Sequence, residues 1–177
     1  MLLEGTIPPT TRKEHIMKFK LWLDCDGVCA DFDTHFENLA GEPSRGYEDK
    51  HGTKAFWKVV MSDPQFFVNL PLMPNIERLI NAVRHTEPTI LTGVPQGSWA
   101  SPQKHLWKHN HRDIFHGIDM ITCLSRDKSL YMIPDVVNII VDDWPKHQTT
   151  WEERGGTWVM HTSVEDSLEQ LAKLGVL

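Results

Sequence analysis

Apolar residues along this chain come in short unbroken runs separated by stretches in which they recur every three or four positions. The first run, Phe19-Lys20-Leu21-Trp22-Leu23, is entered from polar sequence and ends in Asp24-Cys25-Asp26-Gly27. That is the pattern of a buried parallel strand feeding a turn. Ala30 to Ala40 carries Phe32, Phe36 and Leu39 on one helical face, and Gly41-Glu42-Pro43 ends it. Residues 41–53, rich in Gly, Pro and charge, predict a loop. Lys54 to Met61 and Pro64 to Phe67 are short helical or irregular pieces bearing Phe56, Trp57, Phe66 and Phe67. They are too short for a domain and too apolar for a free linker, so they read as a small cap over something else.

From Pro74 the pattern becomes regular. Ile76, Leu79, Ile80 and Val83 share one helical face, with Pro74 suited to the first turn. Pro88 to Gly93 reads as a second strand. Ser98 to His109 predicts a helix with Trp99, Leu106 and Trp107 turned inward. Asp119 to Leu124 is a third strand, followed by a loop at Ser125-Arg126-Asp127-Lys128. Val136 to Val141 is almost uninterruptedly apolar, a central strand ending in Asp142-Asp143. A helix can begin at Pro145, and Thr157 to Met160 is a last strand. A final helix starts at Ser163, with Asp166 near its cap, and stops at Gly175. Strands alternating with helices predict an α/β fold, a parallel sheet with helices on both faces.

Composition adds bounds. At 177 residues the chain fits one domain with a small insertion. A net charge of −6 argues against a binder of nucleic-acid polymers, yet leaves room for a small phosphorylated substrate that needs only local positive charge. Three cysteines without paired spacing read as reduced thiols of an intracellular protein. No apolar run reaches the length of a membrane span, and the N-terminus lacks the apolar core of a signal peptide. The expected location is the cytoplasm, with no membrane partner. Residues 1–17, with Pro8-Pro9-Thr10-Thr11 and mixed charge, read as a loose leader in which Met17 is a candidate start. Most of the seven tryptophans should be core, and some can line a pocket.

Three predicted strands end in chemically loaded residues, Asp24-x-Asp26, Thr92-Gly93 and Asp142-Asp143, and Lys128 lies in the loop after a fourth. Ligands of open α/β sheets collect beyond the carboxyl ends of the strands. Each motif alone reads equally as solvated acids or a surface lysine; their convergence does not. Acids from two strand ends suit Mg²⁺, which takes a few carboxylates plus water and phosphate oxygens. A hydroxyl, free backbone N–H groups and a lysine are what phosphoryl oxygens need as charge redistributes. One carboxylate can then act as a nucleophile, giving an acyl phosphate that water hydrolyses.

The set Asp24-Cys25-Asp26-Gly27-Val28, Ile90-Leu91-Thr92, Lys128 and Ile140-Val141-Asp142-Asp143 resembles the haloacid-dehalogenase-like phosphohydrolase superfamily, with its motifs in the expected order from Phe19 onward. Within it, the chain looks most like the 5′(3′)-deoxyribonucleotidase branch. That likeness rests on Asp26-Gly27-Val28-Cys29-Ala30-Asp31-Phe32, Phe56-Trp57, the stretch from Phe66 to Pro74, and Ser125-Arg126-Asp127-Lys128-Ser129. The resemblance implies a Rossmann-like sheet flanked by helices over residues 18–177, with a small helical cap inserted at about 34–72. It implies Asp24 as nucleophile and Asp26 as general acid and then base. Thr92 and Gly93, through the Thr92 hydroxyl and nearby N–H groups, would hold phosphate, and Lys128 would steady the transferring charge. Mg²⁺ would be held by Asp24, the backbone carbonyl of Asp26 and the acidic pair. Asp143 ranks ahead of Asp142 as direct ligand, and Asp142 could bind through water or orient Lys128. Lys104 aligns with a second lysine able to approach phosphate, and reads equally as a solvated helix lysine. Phe32, Phe56, Trp57 and Phe67 are candidates to stack on a base, or else the core of the cap.

The sequence also departs from that branch. Gly93 stands where the branch carries serine, so one hydroxyl is missing from the phosphate site, and Trp144 follows Asp143 where it has arginine. Both bear on substrate rather than chemistry. His105, His109 and His111 make zinc conceivable, but no glutamate completes a metalloprotease pattern. Cys25 and Cys29 have the wrong spacing for a redox pair or zinc knuckle, and Cys25 between two acids is a poor thiolate. The expected function is Mg²⁺-dependent hydrolysis of a phosphomonoester, a deoxynucleoside monophosphate first. The alternatives are another small phosphate, such as a sugar phosphate, and a non-catalytic nucleotide or phosphate binder on the same fold. Retention of Asp26 weighs against the binder, which needs no acid. A homodimer is compatible with the sequence, as is a monomer.

Overall fold

A computed structural model describes residues 18–177, and the leader expected over residues 1–17 lies outside them. Five strands form one all-parallel sheet: β1 (Phe19–Leu23), β2 (Thr89–Gly93), β3 (Asp119–Cys123), β4 (Val137–Asp142) and β5 (Thr157–Met160). Their spatial order is β3-β2-β1-β4-β5, the Rossmann-like α/β arrangement expected. β1 and β4 pair from Phe19 opposite Val137 to Leu23 opposite Val141. Both are apolar at successive positions because both faces of the sheet are covered. Leu21, Leu23, Ile139 and Val141 enter the larger core on one face. Trp22 and Ile140 meet Leu91, Trp151 and Trp158 on the other.

Between β1 and β2 the chain first makes three helices, α1 (Phe32–Ala40), α2 (Tyr47–His51) and α3 (Thr53–Val60). The neck of this insertion is pinned by backbone bonds. Asp31 N–H donates to Pro71 O at 2.8 Å, and Met73 N–H donates to Cys29 O at 2.9 Å. Asp31 caps α1 by accepting from Thr34 N–H at 3.0 Å. Phe36, Val60, Phe66 and Phe67 are its buried interior. α2 corrects the expectation of loop over 41–53. Its turn is closed by Lys50 N–H donating to Gly46 O at 3.0 Å and Gly52 N–H to Glu48 O at 2.7 Å, and the Tyr47 ring packs edge-to-face with Phe36 at 5.1 Å, a contact local composition does not encode.

The larger face is covered by α4 (Ile76–Val83), α5 (Ala100–Asn110) and α6 (Arg112–Phe115), and later by the C-terminal helix; α7 (Gln148–Glu153) covers the opposite face. The C-terminal helix is α8 (Val164–Lys173), with Ser163 accepting from Asp166 N–H at 3.1 Å. All four apolar residues predicted for the inner face of α4 are buried. Pro74 lies ahead of the helix rather than in its first turn, because Asn75 takes a left-handed conformation (φ 61°) first. In α5 the inward stripe is Ala100, Lys104 and Trp107, while Leu106 is 46% exposed, contrary to expectation. Inward Lys104 and Trp107 set the rotation of the helix, and Leu106 is turned about 100° from Trp107. Ser125–Tyr131 is a 3₁₀ helix rather than an open loop. Among the described residues no helix is long and apolar enough to cross a membrane.

Candidate active site

The strand order reverses at β1, with β2 and β3 on one side and β4 and β5 on the other. The crevice beyond the carboxyl ends of β1 and β4 is where such a sheet leaves room for a ligand. Asp24 continues the ladder past β1, its N–H donating to Val141 O at 2.9 Å, and Asp142 closes β4. The topology therefore forces these acids together. Asp24, Asp142 and Asp143 each present a carboxylate oxygen, all within 4.8 Å of one another.

Lys128 is inserted among them from the 3₁₀ helix. Its Nζ donates to Asp142 Oδ2 at 2.7 Å and stands 2.9 Å from Asp24 Oδ1, an ion contact without the alignment of a hydrogen bond. Burial works to lower the Lys128 pKa, but Asp24 and Asp142 outweigh it and hold it above its ordinary value. Asp142 Oδ1 accepts from Trp144 N–H at 3.0 Å, so both of its oxygens are engaged. Asp143 Oδ2 instead meets the Arg45 guanidinium, which also lies 3.6 Å from Asp33. Burial first, then Asp24, pushes Asp143 up to about 7, and the same causes raise Asp142.

The donor set fits a hard divalent cation. It is all oxygen, it concentrates negative charge in a crevice that burial alone disfavours, and Asp24 Oδ1 and Asp26 Oδ1 are buried with no hydrogen-bond partner among the described residues. Gly27 closes the other side of the acids. It is left-handed (φ 79°), and a Cβ there would fall 2.1 Å from Asp143 Oδ2.

Asp26 is held apart from this cluster. Its Oδ2 accepts from Lys104 Nζ at 2.7 Å, and the same ammonium donates to Thr92 Oγ1 at 2.7 Å. Lys104 is 1% exposed, so the solvated reading of this lysine does not hold. Burial raises the Asp26 pKa, Lys104 opposes it, and the net shift is upward. Thr92 is fully buried, and neither it nor Lys104 is on the wall of the cavity above the acids.

That cavity, about 510 Å³, has Asp24, Asp26, Gly93, Lys128, Asp142 and Asp143 at its floor. Phe32, Phe56, Trp57 and Phe67 reach it from the insertion. The same rings also contact one another, with Phe32 and Phe56 stacked at 6.1 Å and Phe56 edge-on to Trp57 at 5.3 Å. They are thus insertion interior and cavity wall at once. The volume is within the range of small-molecule sites. Trp144, the departure noted after Asp143, lines it too, as do Arg45, Ser125 and His147, which sequence reasoning did not single out as site residues. Ser125 carried a signal, its place three residues before Lys128; Arg45, in a polar stretch, carried none.

Cys25, Cys29 and Cys123 are buried free thiols, and burial pushes all three pKa values up, which leaves them poor nucleophiles. Among the described residues the convergent group of possible metal ligands is the acid cluster, and His105, His109 and His111 form no such group.

Sheet order, helical layers and the crevice at the reversal point define a Rossmann-like α/β fold. No protein-family model and no curated protein matches the chain. Among solved structures it is similar to a HAD-superfamily hydrolase from Ehrlichia chaffeensis, with a TM-score of 0.53 and 11% identity over 89% of this chain and 98% of that one. It is similar also to a hydrolase from Streptococcus pneumoniae TIGR4, with a TM-score of 0.52 and 11% identity over 89% of this chain and all of the other, 100%. At such identity the likeness is one of fold.

Proposed function

We propose that the protein is a phosphomonoester hydrolase acting through an aspartyl phosphate, with a deoxynucleoside monophosphate as its substrate. The observation that carries this is the division of labour between two neighbouring carboxylates. Asp24 faces Lys128 and the acid cluster, and Asp26 is bound to Lys104 with its pKa raised. Two carboxylates in contrasting surroundings are the usual basis for separate acid and nucleophile roles.

On this reading the Asp24 carboxylate attacks phosphorus and the bond to the ester oxygen breaks. Asp26 gives its proton to the departing alcohol. Asp26, now a carboxylate, takes a proton from water as that water attacks the acyl phosphate, releasing inorganic phosphate and restoring Asp24. Lys128 compensates negative charge on Asp24 and on the phosphoryl oxygens throughout. Asp24, Asp143 and the backbone carbonyl of Asp26 would hold Mg²⁺, which when bound supplies charge compensation for the phosphoryl group. Asp142, engaged by Lys128 and the Trp144 N–H, orients the lysine.

The aromatic wall supports a nucleotide. A ring stacked on a base contributes about 1–3 kcal/mol, and the rings themselves offer nothing to pair with a 2′-hydroxyl; Asp33, Ser44, Glu48 and Asp49 are, with Arg45, the polar side chains of the insertion on the same cavity. The insertion is then a cap that excludes water and selects the leaving group.

The test is phosphate release from a panel of deoxynucleotides, ribonucleotides, sugar phosphates and p-nitrophenyl phosphate, with Mg²⁺ and with chelator. We expect activity only with the cation and the highest kcat/KM for deoxynucleotides. Asp24→Asn should lose about a thousandfold or more in turnover, the scale on which removal of a covalent nucleophile acts. Equal kcat/KM for a deoxynucleotide and a sugar phosphate would remove the nucleotidase assignment and leave a general phosphatase. Full activity of Asp24→Asn would remove the mechanism.

A further inference from the structure

The hydroxyl at the end of β2 is buried and does not line the cavity. Thr92 is fully buried, its Oγ1 accepts from Lys104 Nζ at 2.7 Å, and its other contact is a long one, to Gly93 O at 3.5 Å. Ser125 has the opposite surroundings. It opens the 3₁₀ helix that carries Lys128, and it lines the cavity with Asp24, Gly93 and Lys128. The hydrogen bonds of the described residues include none from its Oγ.

Two features aim this hydroxyl at the reacting group. In a 3₁₀ helix, side chains at i and i+3 eclipse, so Ser125 stands over the same side as Lys128, whose ammonium contacts Asp24 and Asp142. Gly93 supplies the room. A Cβ on Gly93 would lie 1.9 Å from Ser125 Oγ and 3.0 Å from its Cβ. The Gly93 backbone is not left-handed, so the constraint at this position is space: Ser125 Oγ, its Cβ and, at 3.3 Å, its Cα crowd the place of a Cβ, and the oxygen would have to turn away.

We propose that Ser125 is the phosphoryl-binding hydroxyl of this site, donating from Oγ to a non-bridging oxygen of the substrate phosphoryl group and of the inorganic phosphate product. Gly93 is then a positioning residue, whose lack of a side chain leaves room for the serine hydroxyl. The inference rests on the phosphohydrolase reading above. Because the contact is with the phosphoryl group, its loss is felt alike by every ester, unlike the loss of a cap ring.

The experiment uses Ser125→Ala, Ser125→Gly, Gly93→Ala and the double variant Gly93→Ala/Ser125→Gly, with inorganic phosphate in the presence of Mg²⁺ as the binding probe. Ser125→Ala should raise KM for nucleotides and for p-nitrophenyl phosphate by a common factor, roughly tenfold for one hydrogen bond to a charged group. The Kd for inorganic phosphate should rise by the same factor, with the melting temperature unchanged. Gly93→Ala should reproduce this loss where Ser125 is present and cost nothing further where Ser125 is glycine. Unchanged phosphate affinity in folded Ser125→Ala overturns the proposal, as does a Gly93→Ala effect equal in the two backgrounds. If the wild-type protein neither binds inorganic phosphate nor releases it from any ester, the phosphohydrolase reading falls and this inference with it.

Discussion

Lys104 and Asp26 share one contact but are not equally enclosed. The lysine side chain is 1% exposed and the aspartate 27%. Removing either partner breaks the same 2.7 Å bond and leaves a different remainder. Lys104→Met replaces a buried charge with an apolar chain of similar length and leaves Asp26 at a cavity wall where water can reach it. Asp26→Ala strands the ammonium in the interior with Thr92 Oγ1 as its remaining hydrogen-bond partner and the face of the Phe67 ring beside it. We expect Asp26→Ala to cost about 3–5 kcal/mol in urea unfolding, the range for an uncompensated buried charge, and Lys104→Met about 1–2 kcal/mol. Equal costs would mean that Lys104 is hydrated in solution. Lys104→Met also removes the cation that opposes the upward shift of Asp26, so the alkaline limb of the kcat profile, on which Asp26 as general acid loses its proton, should move to higher pH.

At the scale of elements, the turn leading into α2 ties the insertion to the sheet. Arg45 reaches from it to Asp143 at the end of β4 and to Asp33 in α1. In the proposed mechanism Asp143 is also a cation ligand, and one carboxylate oxygen cannot serve both partners equally. Arg45→Gln should therefore tighten Mg²⁺ binding by the substrate-free protein. The effect should be about fivefold, since a partly exposed ion pair contributes on the order of 1 kcal/mol. Calorimetric titration of Mg²⁺ into both proteins measures it. An unchanged or weaker Mg²⁺ affinity in the variant would show that Arg45 and the cation do not compete. The polar composition of residues 41–53 predicted a loop here, and nothing local distinguishes Arg45 from the charged residues around it. Its partner Asp143 is 98 positions away.

For the molecule as a whole, acid stability is linked to the site through β5. His161 follows that strand, its backbone N–H donates to Asp142 O at 2.9 Å, and its Nδ1 lies 2.7 Å from Ser167 Oγ in α8. Burial lowers the His161 pKa below the ordinary 6.5, against the nearby Asp166 charge. The unfolded chain thus takes up a proton more readily than the folded one. The histidine's contribution is complete above pH 6.5 and is lost as pH falls from there toward the folded-state value. The raised Asp142 and Asp143 carboxyls act in the opposite sense and are shared by both proteins, so we expect the unfolding free energy of the wild type to fall relative to that of His161→Gln as pH drops below 6.5. Identical slopes would exclude the linkage.

What the sequence by itself determined is the sheet and the acids at its strand ends. A strand covered on both faces must be apolar at nearly every position, so Leu21 to Leu23 and Val137 to Val141 are visible as runs, and the residues that end them are delivered to one edge by the parallel topology. Local periodicity also carried the buried face of α4, because four apolar residues at helical spacing have one consistent solution. Only the tertiary structure decided that Lys104 is buried against Asp26, 78 positions away, that Thr92 is withdrawn behind it, and that Ser125 fills the space beside Gly93. It likewise turned Trp107 inward and Leu106 outward, and packed Tyr47 of α2 against Phe36. These outcomes depend on which distant side chains meet. Hydrophobic period and strand-end chemistry are properties of a segment, whereas a buried charge, a shared hydroxyl or a missing Cβ takes its meaning from the neighbour the fold supplies.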